Sequence, residues 1–350
     1  MHRQPDPNDR SRLAEVPLGE KVAFLRRPEV YPEPTRQVDT VETHMSWVFL
    51  TDAHAYKMKK PVRYPFLDYS TLDRRHHMCG EELRLNRRLA PWVYLGLVPL
   101  MRDDGGRLAL GGPGPATTGT VVEWLVQMVR LPAGKLLDQA IRHGTVTEPD
   151  AERAAAHLAD FYRAADPIAV SAPDYIGAFG KALSENAREM AAAGIPERRF
   201  AAVVRALSRF LDERAPLLRT RIEQGHIIEG HGDLRPEHIF LGEPAAIIDC
   251  LEFDRALRLL DPLEELAFLS MECDRLGAAK WGELFLDVYL RDAGDAAAEE
   301  LMCFYRASRA CLRSRLAVGH LHDGEIREPR RWLNQADQYL ELANRYVARL

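Results

Sequence analysis

Gly230-His231-Gly232-Asp233-Leu234-Arg235-Pro236-Glu237-His238-Ile239-Phe240-Leu241, then Gly242-Glu243-Pro244, then Ala245-Ala246-Ile247-Ile248-Asp249-Cys250, is the stretch on which the reading of this chain turns. Its apolar runs are short and bounded by turn residues, which is the punctuation of strands rather than of helices. His226 to Ile228 reads as a brief strand. His238 to Leu241 and Ala245 to Cys250 read as two more, closed into a hairpin by Gly242-Glu243-Pro244. A loop of two or four residues would set His238 directly opposite Asp249, and a loop of three would offset them by one position. In either register Asp233, His238 and Asp249 converge at one end of the hairpin. Charged side chains seldom sit at buried strand ends without a purpose, so this is where chemistry is expected.

The rest of the chain limits what that chemistry can be. With 350 residues there is material for two lobes, each with a core. A hydrophobic share of 46% and a charged share of 28% are those of an ordinary soluble globular protein. The formal net charge of −5 gives no footing for a nucleic-acid partner. The five cysteines, Cys79, Cys250, Cys273, Cys303 and Cys311, are scattered and never spaced as Cys-x2-Cys. That pattern fits a reducing cytoplasmic setting and speaks against both a disulfide framework and a zinc-thiolate site. Met1 to Arg12 is polar, with no apolar core of a secretory signal. No apolar run reaches the roughly 18 residues of a membrane span, so no membrane partner is expected.

Three regions follow in order. Residues 1–37 read as an N-terminal extension: loosely attached to about residue 18, then a short helix over Leu18–Arg26, then an extended connection enforced by Pro28, Pro32 and Pro34. Residues 38–130 read as β-rich. Val38 to Pro61 gives strand, loop, strand, turn, strand, and Tyr94–Met101, Arg107–Leu110 and Thr120–Met128 give three more. Ala55 to Lys60 alternates, with Lys57 and Lys59 on one face and Tyr56 and Met58 on the other. Thr71 to Ala90 is a helix ending before Pro91, and it carries Glu81 and Glu82 among five arginines. Residues 131–350 are helical: Lys135–Arg142, Glu148–Ala165, Tyr175–Ala193, Pro196–Gln224, Pro262–Leu276, Ala278–Arg291, Ala296–Leu316 and Pro329–Leu350, with the hairpin inserted. The fold class is α+β in two lobes.

His231-x-Asp233, followed by Asp249 after a hairpin, resembles the catalytic segment of the aminoglycoside phosphotransferase family, in the protein-kinase-like superfamily. The family pattern is His-x-Asp-x4-Asn and then a metal-binding Asp; here His238 stands where the Asn belongs. The resemblance extends to Val41-Glu42-Thr43-His44, Trp47-Val48-Phe49-Leu50, Tyr56-Lys57-Met58-Lys59-Lys60-Pro61-Val62, Phe66-Leu67-Asp68-Tyr69 and Arg87-Arg88-Leu89-Ala90-Pro91. It extends also to Asp249-Cys250-Leu251-Glu252-Phe253 and to Asp261-Pro262-x3-Leu266-Ala267-Phe268-Leu269. Together these are similar to an uncharacterised bacterial subgroup of aminoglycoside-phosphotransferase-like proteins. The fold so implied is a bilobal protein-kinase-like one along nearly the whole chain.

What the resemblance implies for the residues is specific. ATP would bind with Mg2+ between the lobes. Asp233 would align the hydroxyl of the acceptor. Asp249 would hold Mg2+, a hard cation that prefers oxygen. His238 would either ligate the second metal position, favouring Mn2+, or hydrogen-bond Asp233 and hold the loop. Lys57, with Lys59 as competitor on the same face, would neutralise phosphates and pair with Glu82. The usual glycine-rich loop is absent, and Thr43 or Ser46 stands in its place. Backbone groups near Met128 and Arg130 would hold the adenine. The acidic run Glu252, Asp254, Asp261, Glu264 and Glu265 would attract a cationic acceptor or be a solvated helix start, with Asp261 as its N-cap.

The reading is an ATP-dependent phosphotransferase acting on a small hydroxylated molecule. Aminoglycoside, amino sugar, choline-like alcohol and sugar all fit as acceptor. One rival is a non-catalytic nucleotide-binding pseudokinase, suggested by His238 and the missing glycine loop. The other is a metal-dependent hydrolase using His231, Asp233, His238 and Asp249 as ligands.

Overall fold

A computed structural model describes residues 16–64, 67–111, 119–320 and 329–350. The expected loose attachment of the first fifteen residues, and Phe66 of the quoted motifs, lie outside them. The chain divides after Leu131 into two compact units.

The first unit is built on six antiparallel strands: β1 (Asp39–Glu42), β2 (Ser46–Leu50), β3 (His54–Lys59), β6 (Tyr94–Arg102), β7 (Leu108–Leu110) and β8 (Thr120–Val129). Their spatial order is β1-β2-β3-β8-β6-β7. Two short strands, β4 (Arg63–Tyr64) and β5 (Leu67–Asp68), pair separately and were not foreseen. Trp47, Val48 and Phe49 make β2 a strong strand former. Phe49, Tyr56, Met58, Leu100 and Leu125 project from the sheet into one core, closed by Val22 and Leu25 of helix α1 (Leu18–Leu25). The helix is also tied by charge. Lys21 Nζ reaches Glu123 Oε2 at 2.8 Å, and Arg75 Nε reaches Glu123 Oε1 at 2.9 Å, both pairs buried. Arg75 belongs to helix α2 (Leu72–Asn86), whose N-cap Thr71 accepts the Arg74 N–H.

Helices α3 (Leu137–His143), α4 (Glu148–Ala164), α5 (Ala172–Ala192), α6 (Ala201–Glu213), α7 (Ala215–Glu223), α8 (Pro262–Arg275), α9 (Ala279–Ala293), α10 (Glu299–Gly319) and α11 (Pro329–Val347) make the second unit. None of the described helices is long and apolar enough to cross a membrane. Caps set the starts: Thr147 for α4, Ser171 for α5 and Asp261 for α8 each accept a backbone N–H, and each is followed by a proline in the first turn.

The sequence reading needs three corrections here. The single helix expected over Pro196–Gln224 is broken into a 3-10 turn at Glu197–Arg199, α6 and α7. Pro216 has no N–H for a helical bond and its ring crowds the carbonyl one turn back, so α7 starts afresh. The strand expected at His226–Ile228 is β9 (Ile228–Glu229), and its partner β12 (Leu259–Leu260) lies thirty residues on, where the sequence offers no strand signal. The hairpin is shorter than expected. Its strands are β10 (Ile239–Phe240) and β11 (Ala246–Ile247), with Ile239 opposite Ile247. His238 ends a 3-10 turn over Pro236–His238 instead of opening a strand. Its carbonyl accepts the Ile248 N–H at 2.9 Å, which is the one-position offset from Asp249 that a three-residue loop imposes.

Candidate active site

Gly230-His231-Gly232-Asp233 follows β9, and its two glycines have separate reasons. Gly232 has φ of 87°, and a Cβ there would lie 3.0 Å from Arg258 Cγ. A Cβ on Gly230 would lie 2.8 Å from a Glu265 carboxylate oxygen. That carboxylate is 1% exposed, accepts the Gly232 N–H, and takes the Tyr162 hydroxyl at 2.8 Å. Arg258 braces the other side, donating to the Leu251 carbonyl at 2.8 Å and to Glu229 at 2.9 Å. The Gly232 backbone is thus held by Glu265, with Arg258 packed against it.

Asp233 faces an arginine that the sequence reading passed over. Arg235 Nη2 lies 3.0 Å and Nε 3.1 Å from Asp233 Oδ2, while Nη1 reaches Glu237 at 2.5 Å. Burial alone would raise the Asp233 pKa. The charge of Arg235, helped by His238 and Arg313, outweighs it and holds the carboxyl below the usual range. Asp233 is therefore a carboxylate at neutral pH, with Oδ2 engaged and Oδ1 left for an acceptor.

The two histidines have different jobs. His231 is fully buried, donates from Nε2 to the Ile248 carbonyl at 2.8 Å, and accepts the Asp233 N–H at Nδ1. Both ring nitrogens are occupied, so it ties the loop to the hairpin and has none for a metal. His238 Nδ1 lies 2.8 Å from the Asp233 carbonyl. A carbonyl only accepts, so Nδ1 carries a proton, and in the neutral ring Nε2 holds the lone pair. Nε2 lies 3.3 Å from Arg235 Nη2 and 3.5 Å from Asp249 Oδ2. The hydrogen bond that fixes the loop is thereby made by Nδ1, and Nε2 is turned toward Arg235 and Asp249.

Asp249 has φ of 60°, and no other described residue except glycine has a positive φ. The left-handed turn is tolerated by Asp better than by most residues. Its carboxylate, 45% exposed, faces His238 Nε2. A carboxylate and an imidazole nitrogen are both donor types that could hold a divalent cation. No group of three or more His, Cys, Asp or Glu side chains arranged for a metal is found among the described residues.

Burial lowers the His231 pKa from its ordinary 6.5, although the Glu265 charge opposes it. Its neutral form is favoured in the fold, so this contribution to stability is intact above pH ~6.5 and is lost as pH falls below that toward the folded value. The unfolding midpoint should drop between about pH 7.5 and about pH 5.5. The drop should shrink in His231→Asn, measured by urea titration at both pH values; an equal drop in both proteins would contradict it.

In the first unit, Glu82 is fully buried on α2 and lies between two lysines of β3. Lys57 Nζ is 2.8 Å from Oε1 and Lys59 Nζ is 2.6 Å from Oε2. The Lys59 side chain is 1% exposed and stands over the Tyr69 ring, whereas that of Lys57 is 16% exposed. Two ammonium groups thus meet one buried carboxylate. Glu81, the rejected neighbour, pairs outward with Arg84 at 2.8 Å.

The other residues expected near a nucleotide have structural partners. Ser46 is buried opposite Lys59, and its N–H donates to Thr43 Oγ1 at 2.9 Å, which closes the β1–β2 turn. Met128 is paired on both sides, with Ala55 and Tyr94. The Arg130 N–H donates to the Ala53 carbonyl at 2.9 Å, and its guanidinium holds the Thr51 carbonyl and Asp39.

The acidic run divides. Asp254 makes a local turn, its Oδ1 accepting the Ala256 N–H at 2.8 Å. Asp261, Glu264 and Glu265 are buried, so they are neither a solvated helix start nor an open attractor. Asp261 does cap α8, and it also binds Arg221 through both oxygens, at 2.7 and 2.8 Å. Arg235 could have been noticed two positions after Asp233. Arg313 gave no signal, and Glu265 showed only as part of the acidic run, because only the folding of α10 and α8 brings them to the loop.

The antiparallel sheet of the N-terminal part and the helical C-terminal part define a kinase-like fold. The GDP complex of wild-type aminoglycoside 2'-phosphotransferase-IIIa matches with a TM-score of 0.54 at 14% identity, covering 94% of this chain and 98% of that one. A choline/ethanolamine kinase family protein from Mesorhizobium loti matches with a TM-score of 0.55 at 15% identity, again over 94% and 98%. The resemblance read from the catalytic segment thus holds at the level of the fold. No family model matches the chain. It is 33% identical over 297 residues to the uncharacterized protein Rv2004c of Mycobacterium tuberculosis and to Mb2027c of Mycobacterium bovis. Each match takes in 82% of this chain, which spans 56% of the relative's length.

Proposed function

We propose that the chain is an ATP-dependent phosphotransferase that moves the γ-phosphoryl group to a hydroxyl of a small molecule. The observation that carries this is Asp233, with one free carboxylate oxygen, beside the facing pair His238 Nε2 and Asp249 Oδ2. The first unit adds Lys57, a partly exposed ammonium held by Glu82, as the group that would meet a phosphate. A structural neighbour is described as a GDP complex, which supports a nucleotide as ligand. All five cysteines are buried and none is in a disulfide, which supports a reducing, cytoplasmic setting.

Asp233 Oδ1 accepts a hydrogen bond from the acceptor hydroxyl and orients its lone pair toward the γ-phosphorus. The new O–P bond forms as the bridging P–O bond breaks, the electron pair leaves with ADP, and the hydroxyl proton passes to Asp233. A carboxylate held at low pKa is a weak base, so orientation is its main contribution, with proton transfer late. Arg235, pinned to Asp233 Oδ2, fixes which oxygen faces the acceptor. Asp249 and His238 Nε2 would hold a divalent cation, which supplies charge neutralisation to the phosphates. The occupied nitrogens of His231 weigh against the hydrolase reading. The closed Thr43–Ser46 turn favours a nucleotide-binding protein with slow turnover as the second reading.

The test is an ATP-consumption screen over hydroxylated metabolites and aminoglycosides, with Asp233→Asn as control. Two further outcomes belong here. His238→Asn should lower the Mn2+-to-Mg2+ rate ratio several-fold, because an amide oxygen replaces a nitrogen ligand; an unchanged ratio would leave Nε2 without a metal role. Lys57→Ala should raise the KM for ATP by about tenfold or more, the loss of one charge-assisted contact. Lys59→Ala should instead lower the unfolding midpoint, because its ammonium is enclosed. The reverse ranking in kinetics would move the phosphate contact to Lys59.

A further inference from the structure

The second unit carries a cleft that the catalytic assignment does not use. Its volume is 370 Å3, inside the ~300–1,000 Å3 range of small-molecule sites. Phe179, Leu183, Leu207, Leu257, Leu260 and Leu312 make its apolar wall. Leu257 is 50% exposed, which is unusual for a large apolar side chain in this protein.

The polar groups in the wall define what the cleft can take. Glu264 and Arg309 close an ion pair at 2.7 Å, and the Tyr175 hydroxyl donates to the same carboxylate at 3.2 Å. The buried charges are neutralised in place. Asn186 is 4% exposed, and its Oδ1 has no hydrogen-bond partner among the described residues; the same holds for Arg309 Nε. Buried polar atoms in native proteins are rarely left so. A ligand with a donor for the amide and a neutral acceptor for the guanidinium would satisfy both. A polycation would find only Asp174, exposed at the mouth, because Glu264 is already paired.

The cleft adjoins the catalytic loop. Its wall segment at residues 256–260 packs on Gly232, where a Cβ would meet Arg258 Cγ at 3.0 Å and the Leu257 carbonyl at 3.4 Å. Glu265, next to Glu264, holds the Gly232 N–H. Arg313, one turn beyond Arg309 on α10, contributes its charge to Asp233.

We propose that this cleft binds the apolar body of a small uncharged molecule with a hydrogen-bond donor toward Asn186, and that the phosphoryl acceptor belongs to this class. The acceptor half rests on the phosphotransferase reading above. N-phenyl-1-naphthylamine, neutral, apolar and carrying one N–H, is the probe. Its fluorescence should rise saturably at one site per chain. Ala182→Trp, placed at an exposed wall position of α5, should abolish the rise, and Asn186→Leu should weaken it about tenfold, the loss of one hydrogen bond to a buried group. Unsaturable binding, or binding unchanged in both variants, overturns the site. If uncharged apolar alcohols displace the probe and are phosphorylated, the class stands. If an aminoglycoside displaces it and is phosphorylated, the class is wrong. Probe binding that Ala182→Trp abolishes, without phosphorylation of any alcohol, keeps the site and removes the phosphotransferase reading instead.

Discussion

Asp233→Asn is expected to lower the rate of phosphoryl transfer by about a thousandfold, the middle of the range for a positioned acid–base group. The amide preserves the shape and can still meet the acceptor, but it accepts no proton and no longer offsets the charges that Arg235 and Arg313 place around it. Because the loop is held by Gly232, Glu265 and His231 rather than by the Asp233 side chain, the fold should survive. Nucleotide affinity should also persist, since Lys57 and Asp249 are untouched. The check is steady-state kinetics with a parallel ATP titration. A variant within tenfold of the parent would remove Asp233 from the chemistry; loss of ATP affinity together with rate would give it a binding role instead.

Glu82→Gln is expected to be the most destabilising of the changes considered, by about 3–5 kcal/mol, the cost of breaking a buried ion pair from one side. Lys59 has no route to water at 1% exposure, so its buried ammonium would lose the carboxylate it contacts at 2.6 Å. The Glu81→Gln change one residue earlier removes only an exposed pair with Arg84, worth about 0–1 kcal/mol. Urea unfolding of the two variants measures the contrast. Mg-ATP should restore part of the Glu82→Gln loss by supplying anionic phosphate to Lys57. Equal midpoints for the two variants would mean that the lysines find other partners.

The part of this architecture legible in the sequence is the part with periodic or punctuated pattern. The six-stranded sheet could be read because β-branched and aromatic runs alternate between turns, and α2, α4 and α8 because caps and prolines mark their ends. Lys57 and Lys59 showed as one face of a strand, whereas the burial of Glu82 beside an exposed Glu81 pair did not show in the residues themselves. Asp233, His238 and Asp249 could be placed near one another from the hairpin alone. What stayed hidden depends on contacts distant in sequence. Nothing near Glu123 signals that Lys21 and Arg75 meet on it. The β9–β12 pair has two residues a side, too short for any period. The division of labour between the two nitrogens of His238 depends on a carbonyl five residues back, which only the 3-10 turn brings within 2.8 Å. The buried acids of α8 looked like a charged surface because their partners Arg221, Arg309 and Tyr162 come from other helices.

Phosphorus-31 NMR of the full chain with Mg-ATP and the panel of hydroxylated acceptors tests the central claim most directly. The account predicts that the γ-phosphate resonance of ATP declines, that ADP appears, and that a new phosphomonoester signal grows in equal amount with one acceptor, all absent in Asp233→Asn. ADP with inorganic phosphate alone, at the same rate with and without every acceptor, or the same phosphomonoester formed by Asp233→Asn, would contradict it.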